Sequence, residues 1–438
     1  MMLSDVVQFW QRTRVRTAAI RPAYISATLV TGLLLLCGPA HAQETPGAQA
    51  PPAAESDKAP AADVQQVPIL YLKQLRDKNP PLSLLDLPPA DDGVAGAKVG
   101  IADNNTTGQF TKQNFTLDVA ESANVDDLIK AALEKGPAGS GFVIADMEPD
   151  ALLKLADALA GKDAVVVNVG NADDSVREEN CRANVLHIAP SRSMLADALG
   201  QYLAWKRWNN WFLIVGPQPE DKLYAEALKR AAKRFGSKIV EEREFKYEPG
   251  SRRADGGFEQ VQQQIPGFTQ GAKEHDIVMV SDEGSLFGEY LPYRTWSPRP
   301  VTGTAGLVAS SWHPALELWG GTQFQNRFKR HANRLMRPLD YDAWLAVRVV
   351  GEAATRTKSN TFADLNKYVH TPEFEVAAFK GVKTTFRSWN GQLRQPLIVS
   401  TPKMLVSVSP QPGFLHQTSV LDTLGYDKPE TKCKAYAK

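Results

Sequence analysis

The 438-residue chain is poor in cysteine and histidine, with three of the first and seven of the second. That argues against a Cys-rich zinc module and a disulfide-dense miniprotein. An excess charge of either sign is also missing. Fifty Lys and Arg stand against 49 Asp and Glu, so no global bias draws the chain to nucleic acid or an anionic membrane. No G-x-G-x-x-G or G-x-x-x-x-G-K-[ST] follows a strand pattern, which disfavours nucleotide binding by those routes. No G-x-S-x-G elbow occurs, which disfavours an α/β-hydrolase. No two histidines stand at H-x-x-H or H-x-x-x-H spacing, so no local metal motif is expected.

What remains is ordinary globular composition, 43% hydrophobic and 23% charged, in a chain long enough for two cores. The N-terminus has its own pattern. Arg12, Arg14, Arg16 and Arg21 precede an apolar run from Tyr24 to Cys37, and Ala40-His41-Ala42 follows. A basic region, an apolar region and an A-x-A site predict a secretory signal peptide over residues 1–42, cleaved after Ala42, and hence a periplasmic location. As a helix the run spans about 21 Å, short of the roughly 30 Å of a bilayer core. An uncleaved anchor is therefore the weaker reading. A lipoprotein on Cys37 is weaker still, because Leu36 is bulky where a small residue is required.

Residues 43–66 are Ala, Pro, Gln and Glu with almost no apolar bulk, which predicts a disordered linker and structure from Val67. Export removes Cys37 and leaves Cys181 and Cys433. In an oxidising compartment these two have only each other as an intramolecular partner, so they form a disulfide or stay as two thiols.

From Val67 onward strands and helices alternate. Strands are expected at 67–72, 115–119, 141–145, 164–169, 185–188, 211–215, 238–245, 276–280 and 301–308. Helices are expected at 93–104, 125–135, 149–160, from Ser191 to Trp205, 221–235, 258–264 ended by Pro266, most of 316–336, and 341–356. Strands with turns at Asn390-Gly391 and Pro402 should fill 386–408. Continuous apolar strands such as Ala164–Val169 indicate parallel sheets covered on both faces. The fold class is α/β, with two doubly wound, Rossmann-like lobes.

In such sheets ligands sit beyond the carboxyl ends of strands. That singles out Lys73, Asp146 to Glu148, Asn171, Gly216 to Gln218, Asp282-Glu283 and Trp312-His313. Loop carboxylates are usually solvated or cap helices, and Trp205, Trp208 and Trp211 read as packing. Trp312 reads equally as a ligand contact or as packing. An enzyme built on Asp282, Glu283 and His313 is a competing expectation.

Several stretches resemble type I periplasmic binding proteins, the group that includes the leucine/isoleucine/valine receptors of ABC transporters. Val185 to Ser191 looks like that family's strand into the first hinge crossing. Trp211 to Val215 followed by Tyr224 to Leu228 is similar to its second-lobe strand and Tyr-bearing helix. Asp276 to Val280 resembles the strand before its acidic loop. Tyr341-Asp342-Ala343-Trp344 with Val347 to Ala354 resembles its late helix. Lys380-Gly381-Val382 through Asn390-Gly391-Gln392 to Gln395-Pro396-Leu397 looks like its closing strand and turn.

The resemblance implies a hinged pair of lobes. Residues 67–190 plus about 312–385 form lobe 1, residues 191–311 plus about 386–410 form lobe 2, and 411–438 form a C-terminal tail. It implies capture of a small molecule between the lobes for an ABC permease in the inner membrane, without turnover, catalytic residues or a resident metal. The implied ligand-binding set is Trp312, His313, Tyr224, Gln218, Ser191, Arg192, Lys73, Arg76 and Asn171. The first-lobe loops Asp146-Met147-Glu148-Pro149 and Gly170-Asn171-Ala172-Asp173 lack the hydroxyls of amino-acid receptors. That feature, the opening from Gly93 to Gly108 and the long tail look more like the branch associated with pyrroloquinoline quinone-dependent alcohol oxidation. This branch implies pyrroloquinoline quinone or a related planar carboxylate as ligand, stacked on Trp312. A sensor or accessory of such a dehydrogenase, and a receptor for an amino acid or amide, remain alternatives.

Overall fold

The alternation of strands and helices builds two sheets, seen here in a computed structural model that describes residues 64–77, 87–246 and 260–436. The expected signal peptide and nearly all of the expected linker lie outside the described residues. All described residues fall within one unit, Pro60–Lys438.

The first lobe is laid down by β1 (Gln65–Gln74), α1 (Val94–Thr111), β2 (Gln113–Ser122), α2 (Val125–Lys135), β3 (Phe142–Asp146), α3 (Pro149–Ala158), β4 (Val165–Asn168) and β5 (Val185–His187). Its strands run parallel in the order β2-β1-β3-β4-β5. β1 starts two residues before the apolar run, because Gln65 and Gln66 pair with Gln113 and Asn114.

The chain then crosses to the second lobe, formed by α4 (Arg192–Lys206), β6 (Asn210–Val215), α5 (Pro219–Arg234), β7 (Lys238–Glu244), α6 (Gln260–Thr269), β8 (Ile277–Ser281), α7 (Leu291–Arg294), β9 (Val301–Gly303) and β10 (Leu307–Ser310). Two expectations fail here. The single strand at 301–308 is two short strands, which pair side by side in parallel across the turn at 304–306. Pro266 does not end its helix but lies inside α6. Val261 and Ile265, one turn apart, are both sealed in the core, and that burial outweighs the missing N–H.

After Ser310 the chain returns to lobe 1 with α8 (Gly321–Ala332), α9 (Pro338–Thr357) and α10 (Phe362–Val369). The helix expected over most of 316–336 is shorter at both ends. A small sheet of β11 (Val376–Ala377), β12 (Lys383–Phe386) and β13 (Leu393–Arg394) leads back to β14 (Leu397–Ser400) and β15 (Leu405–Ser409). These last two add antiparallel to the second sheet, whose order is β15-β14-β10-β9-β8-β6-β7.

Each sheet is covered on both faces. In lobe 1, α1 and α9 pack on one face and α2 and α3 on the other. In lobe 2, α4 and α5 cover one face and α6 with the loop around Phe287 the other. That explains why the strands read as continuous apolar runs. Among the described residues no helix is long and apolar enough to cross a membrane.

Three chain segments connect the lobes: residues 188–191, 311–312 and 395–396. Buried Lys380 donates to the carbonyls of Ser311 and Pro396, and Gln395 donates to Ile188 O at 2.7 Å, so two side chains fasten all three. Burial lowers the Lys380 ammonium to about 7, against the opposing pull of Asp342. The C-terminal tail straps across the same region. Gly425 N donates to Asp197 of α4 at 2.8 Å, Asp422 accepts from Arg387 and Arg394, and Tyr436 donates to Val185 O at 2.6 Å. The tail closes on lobe 1 through the Cys181–Cys433 disulfide.

Candidate binding cleft

A cleft of about 1450 Å³ lies between the lobes, walled by the loops that follow the parallel strands. Lobe 1 contributes Arg76 and Asp77 after β1, Met147 to Pro149 after β3, and Gly170 to Asp173 after β4. Lobe 2 contributes Arg192 and Leu195 of α4, Gln218 to Glu220, Leu223 and Tyr224 at the start of α5, Asp282 to Ser285 after β8, and Gly303-Thr304 after β9. This is where the topology of wound α/β sheets places ligands.

The geometry of each wall is set by one close approach. A Cβ at Gly170 would stand 2.1 Å from Asp146 Oδ1, and a Cβ at Gly216 would stand 2.2 Å from Asp221 Oδ2. Both glycines let a carboxylate tuck under the strand end. Asp146 then accepts from Arg76 Nη2 at 2.8 Å, while Arg76 Nε pairs with Glu148 at 2.9 Å. In lobe 2, Asp221 accepts the backbone N–H of Gln218 at 3.0 Å and of Glu283 at 2.6 Å, bracing the acidic loop against α5. Burial, with Asp282 nearby, lifts the Asp221 carboxyl to about 6 despite these hydrogen bonds.

Glu283, so held, receives both Nε and Nη2 of Arg192, at 2.8 and 2.7 Å. Arg192 Nη1 also reaches Asp173 of lobe 1 at 3.1 Å. Burial alone would lower the Arg192 guanidinium, but Glu283 and Asp173 outweigh it and hold it above its ordinary range. Burial works to raise Asp173, yet Ser175 and Arg192 leave it below the usual carboxylate range. Tyr224 is 3% exposed, and its hydroxyl has no hydrogen-bond partner among the described residues. Burial first, then Glu283, pushes that phenol above its ordinary range.

Five expected binding residues line the cleft: Arg76, Asn171, Arg192, Gln218 and Tyr224. Asn171 and Gln218 shape it more than they offer free groups. Asn171 Oδ1 accepts from Asp173 N at 2.7 Å, and Gln218 is the N-cap of α5.

The other four do not line it. Trp312 is 1% exposed in the core of lobe 1, stacked on Tyr341 at 5.1 Å and edge-on to Phe324, with Nε1 donating to Gln325. It follows a strand, but by that residue the chain has already crossed to the other lobe. His313 accepts from Ala315 N in the next turn, Ser191 caps α4 through Met194 N, and Lys73 donates to Ala90 O.

The enzyme constellation does not assemble either. Asp282 accepts the N–H groups of Leu286, Phe287 and Gly288, Glu283 is forked by Arg192, and His313 lies elsewhere. Sequence reasoning missed Tyr290 and Glu289 in the cleft wall and Asp221 as its brace. Only Asp221 left a signal, a carboxylate three residues after the Gln218 cap.

A family model described as periplasmic binding protein matches residues 88–266. No curated protein matches the chain. Among solved structures, a branched-chain amino acid ABC transporter periplasmic ligand-binding protein from Burkholderia xenovorans LB400 aligns at TM-score 0.65 and 14% identity. The alignment covers 85% of this chain and 100% of that one. A leucine-, isoleucine-, valine-, threonine- and alanine-binding protein from Brucella ovis, in a closed conformation, aligns at 0.61 and 13%, over 79% and 93%. A solute-binding protein of an ABC transporter from R. palustris, in complex with benzoate, aligns at 0.60 and 10%, over 84% and 99%. With two wound lobes, three connecting segments and a cleft at the strand ends, the chain has the fold of the type I periplasmic binding proteins.

Proposed function

We propose that this chain is a solute-binding protein that captures a small molecule between its lobes and presents it to an ABC-type permease of the inner membrane from the periplasmic side. The observation that carries the reading is the cleft itself, whose walls come from strand-end loops of both lobes. Contacts made only when the lobes approach shift the population toward the closed form, and recognition needs no turnover. Of the solved structures of the same fold, one is described as a branched-chain amino acid ABC transporter periplasmic ligand-binding protein and another as a solute-binding protein in complex with benzoate, which supports small-solute capture.

The pyrroloquinoline quinone reading is not kept. The ring meant to stack on the ligand, Trp312, lies in the core. Among the described residues, a tri-anion would also find each arginine of the cleft lining already paired with an acid. Partnership with a quinone-dependent dehydrogenase loses its support with it.

The test is calorimetry and mass spectrometry on protein from a periplasmic preparation. One solute bound per chain and recovered unchanged on denaturation is expected. Absence of any bound or titratable solute, or its chemical conversion, overturns the reading.

A further inference from the structure

The chemistry of the cleft wall says more than that a solute fits. Among the described residues, and apart from Glu289, which is already engaged, its lining holds six carboxylates, from Asp77, Glu148, Asp173, Glu220, Asp282 and Glu283, against the three guanidiniums of Arg76, Arg192 and Arg337. None of the three is spare. Arg192 sits between Glu283 and Asp173, Arg76 between Asp146 and Glu148, and Arg337 pairs with Asp92 at 3.1 Å. The first two are outnumbered two to one by acids. A carboxylate ligand at Arg76 or Arg192 would share its cation with two fixed acids and stand beside them, an unfavourable like-charge setting.

The helix N-termini that face the cleft among the described residues are weakened as anion cradles too. The helices α3 and α5 begin at the cleft, one on each lobe, and each carries proline at its first position, Pro149 and Pro219. Proline has no N–H to offer. Acids occupy the first turns as well, Asp150 in α3 and Glu220 with Asp221 in α5, where the helix dipole would otherwise attract an anion. Against this, nearly buried Tyr224 lines the cleft near Glu283 with no hydrogen bond to its hydroxyl among the described residues, and Tyr290 adds a second aromatic ring. Excess carboxylate, an unspent hydroxyl oxygen and aromatic rings are the groups that recognise an ammonium.

We infer that the cleft takes an organic ammonium cation lacking a free carboxylate. The inference rests on the solute-binding reading above and narrows it.

The experiment titrates full-length mature protein by calorimetry with putrescine, spermidine and choline, and separately with leucine, benzoate and pyrroloquinoline quinone. Any co-purified solute is identified by mass spectrometry. One cation per chain, with silence toward the carboxylates, is expected. Glu283→Gln removes one acid and releases one arm of Arg192. It should weaken the cation about ten- to a hundredfold and open the cleft to carboxylates. Tyr224→Phe, which leaves the packing intact, should weaken the cation by about tenfold. Binding of any carboxylate probe by the unaltered protein, or a co-purified anion, overturns the ligand class and leaves the receptor standing. If both panels are silent, a co-purified cation supports the inference and a neutral solute overturns it. Silence with nothing co-purified overturns the receptor reading, and this inference with it.

Discussion

Two aromatic residues near strand ends, Trp312 and Tyr224, sit in opposite settings. Trp312 follows β10 at a point where the chain is leaving lobe 2, and it inserts among Tyr341, Phe324 and Gln325 of lobe 1. Every part of it is satisfied within the protein. Tyr224 lies on the second turn of α5, nearly buried in the cleft wall near Arg192 and Glu283, its hydroxyl without a hydrogen bond among the described residues. The difference lies in what surrounds each residue. A lobe core absorbs a large ring completely. A cleft wall buries the apolar body and leaves the polar tip for whatever enters.

Substitutions at these two sites should separate the roles. Trp312→Ala removes a fully buried ring and should cost about 3–5 kcal/mol of stability, read as a lower denaturant midpoint. Tyr224→Phe should change stability by less than about 0.5 kcal/mol while altering binding. Equal stability losses at both positions would place Tyr224 in the core as well and break the contrast.

A second prediction concerns the strap that spans both lobes. Cys433→Ser opens a loop closed over a separation of 252 residues, and the chain-entropy model gives about 5–6 kcal/mol for so long a loop. Thiol titration of the denatured, unreduced wild type should find no free Cys181 or Cys433. Two free thiols with unchanged stability would mean that Tyr436, Asp422 and the Asp197–Gly425 contact hold the tail without the bond.

The smallest predicted effect is a pH slope at the hinge. His187 is fully buried at the end of β5, its Nδ1 facing the Asn168 amide at 3.0 Å and its Nε2 without a partner. Burial, reinforced by Arg177, holds the imidazole well below its ordinary range. The unfolded chain therefore binds the proton first. The contribution to stability is complete above about pH 6.5 and is lost below it, at up to about 1.4 kcal/mol per pH unit until the folded-state value is reached. His187→Gln should flatten that part of the stability profile. An unchanged slope would assign it to other groups.

Much of the fold could be read along the chain because parallel strands buried on both faces must be apolar throughout, as Val143-Ile144-Ala145 and Val165-Val166-Val167 are. The single-strand reading failed at 301–308, and the helix stop failed at Pro266. Both errors come from neighbours distant in sequence: β8 and β14 flank the first segment, and the core around Phe245 holds the second. In the cleft, Asn171 and Gln218 followed from the rule about strand ends, while Arg76, Arg192 and Tyr224 entered only with the set the resemblance implies. Trp312, His313 and Lys73 obeyed the rule and still lie outside the cleft lining, because position along the chain does not say which lobe a crossing residue joins or what a side chain meets there.

The alternation of strands and helices and the positions of the strand-end loops are properties of sequence order, set by local hydrophobic pattern, whereas the count of cysteines left the Cys181–Cys433 bond open until the folded tail brought the two together. The state of the charges is no property of sequence order either. Arg192 and Arg76 read as free anion donors until Glu283, Asp173, Asp146 and Glu148 arrive from 91, 19, 70 and 72 residues away. Pairing depends on distance in space, which falls off with no regard to separation along the chain, so only the folded lobes decided that this cleft carries excess acid.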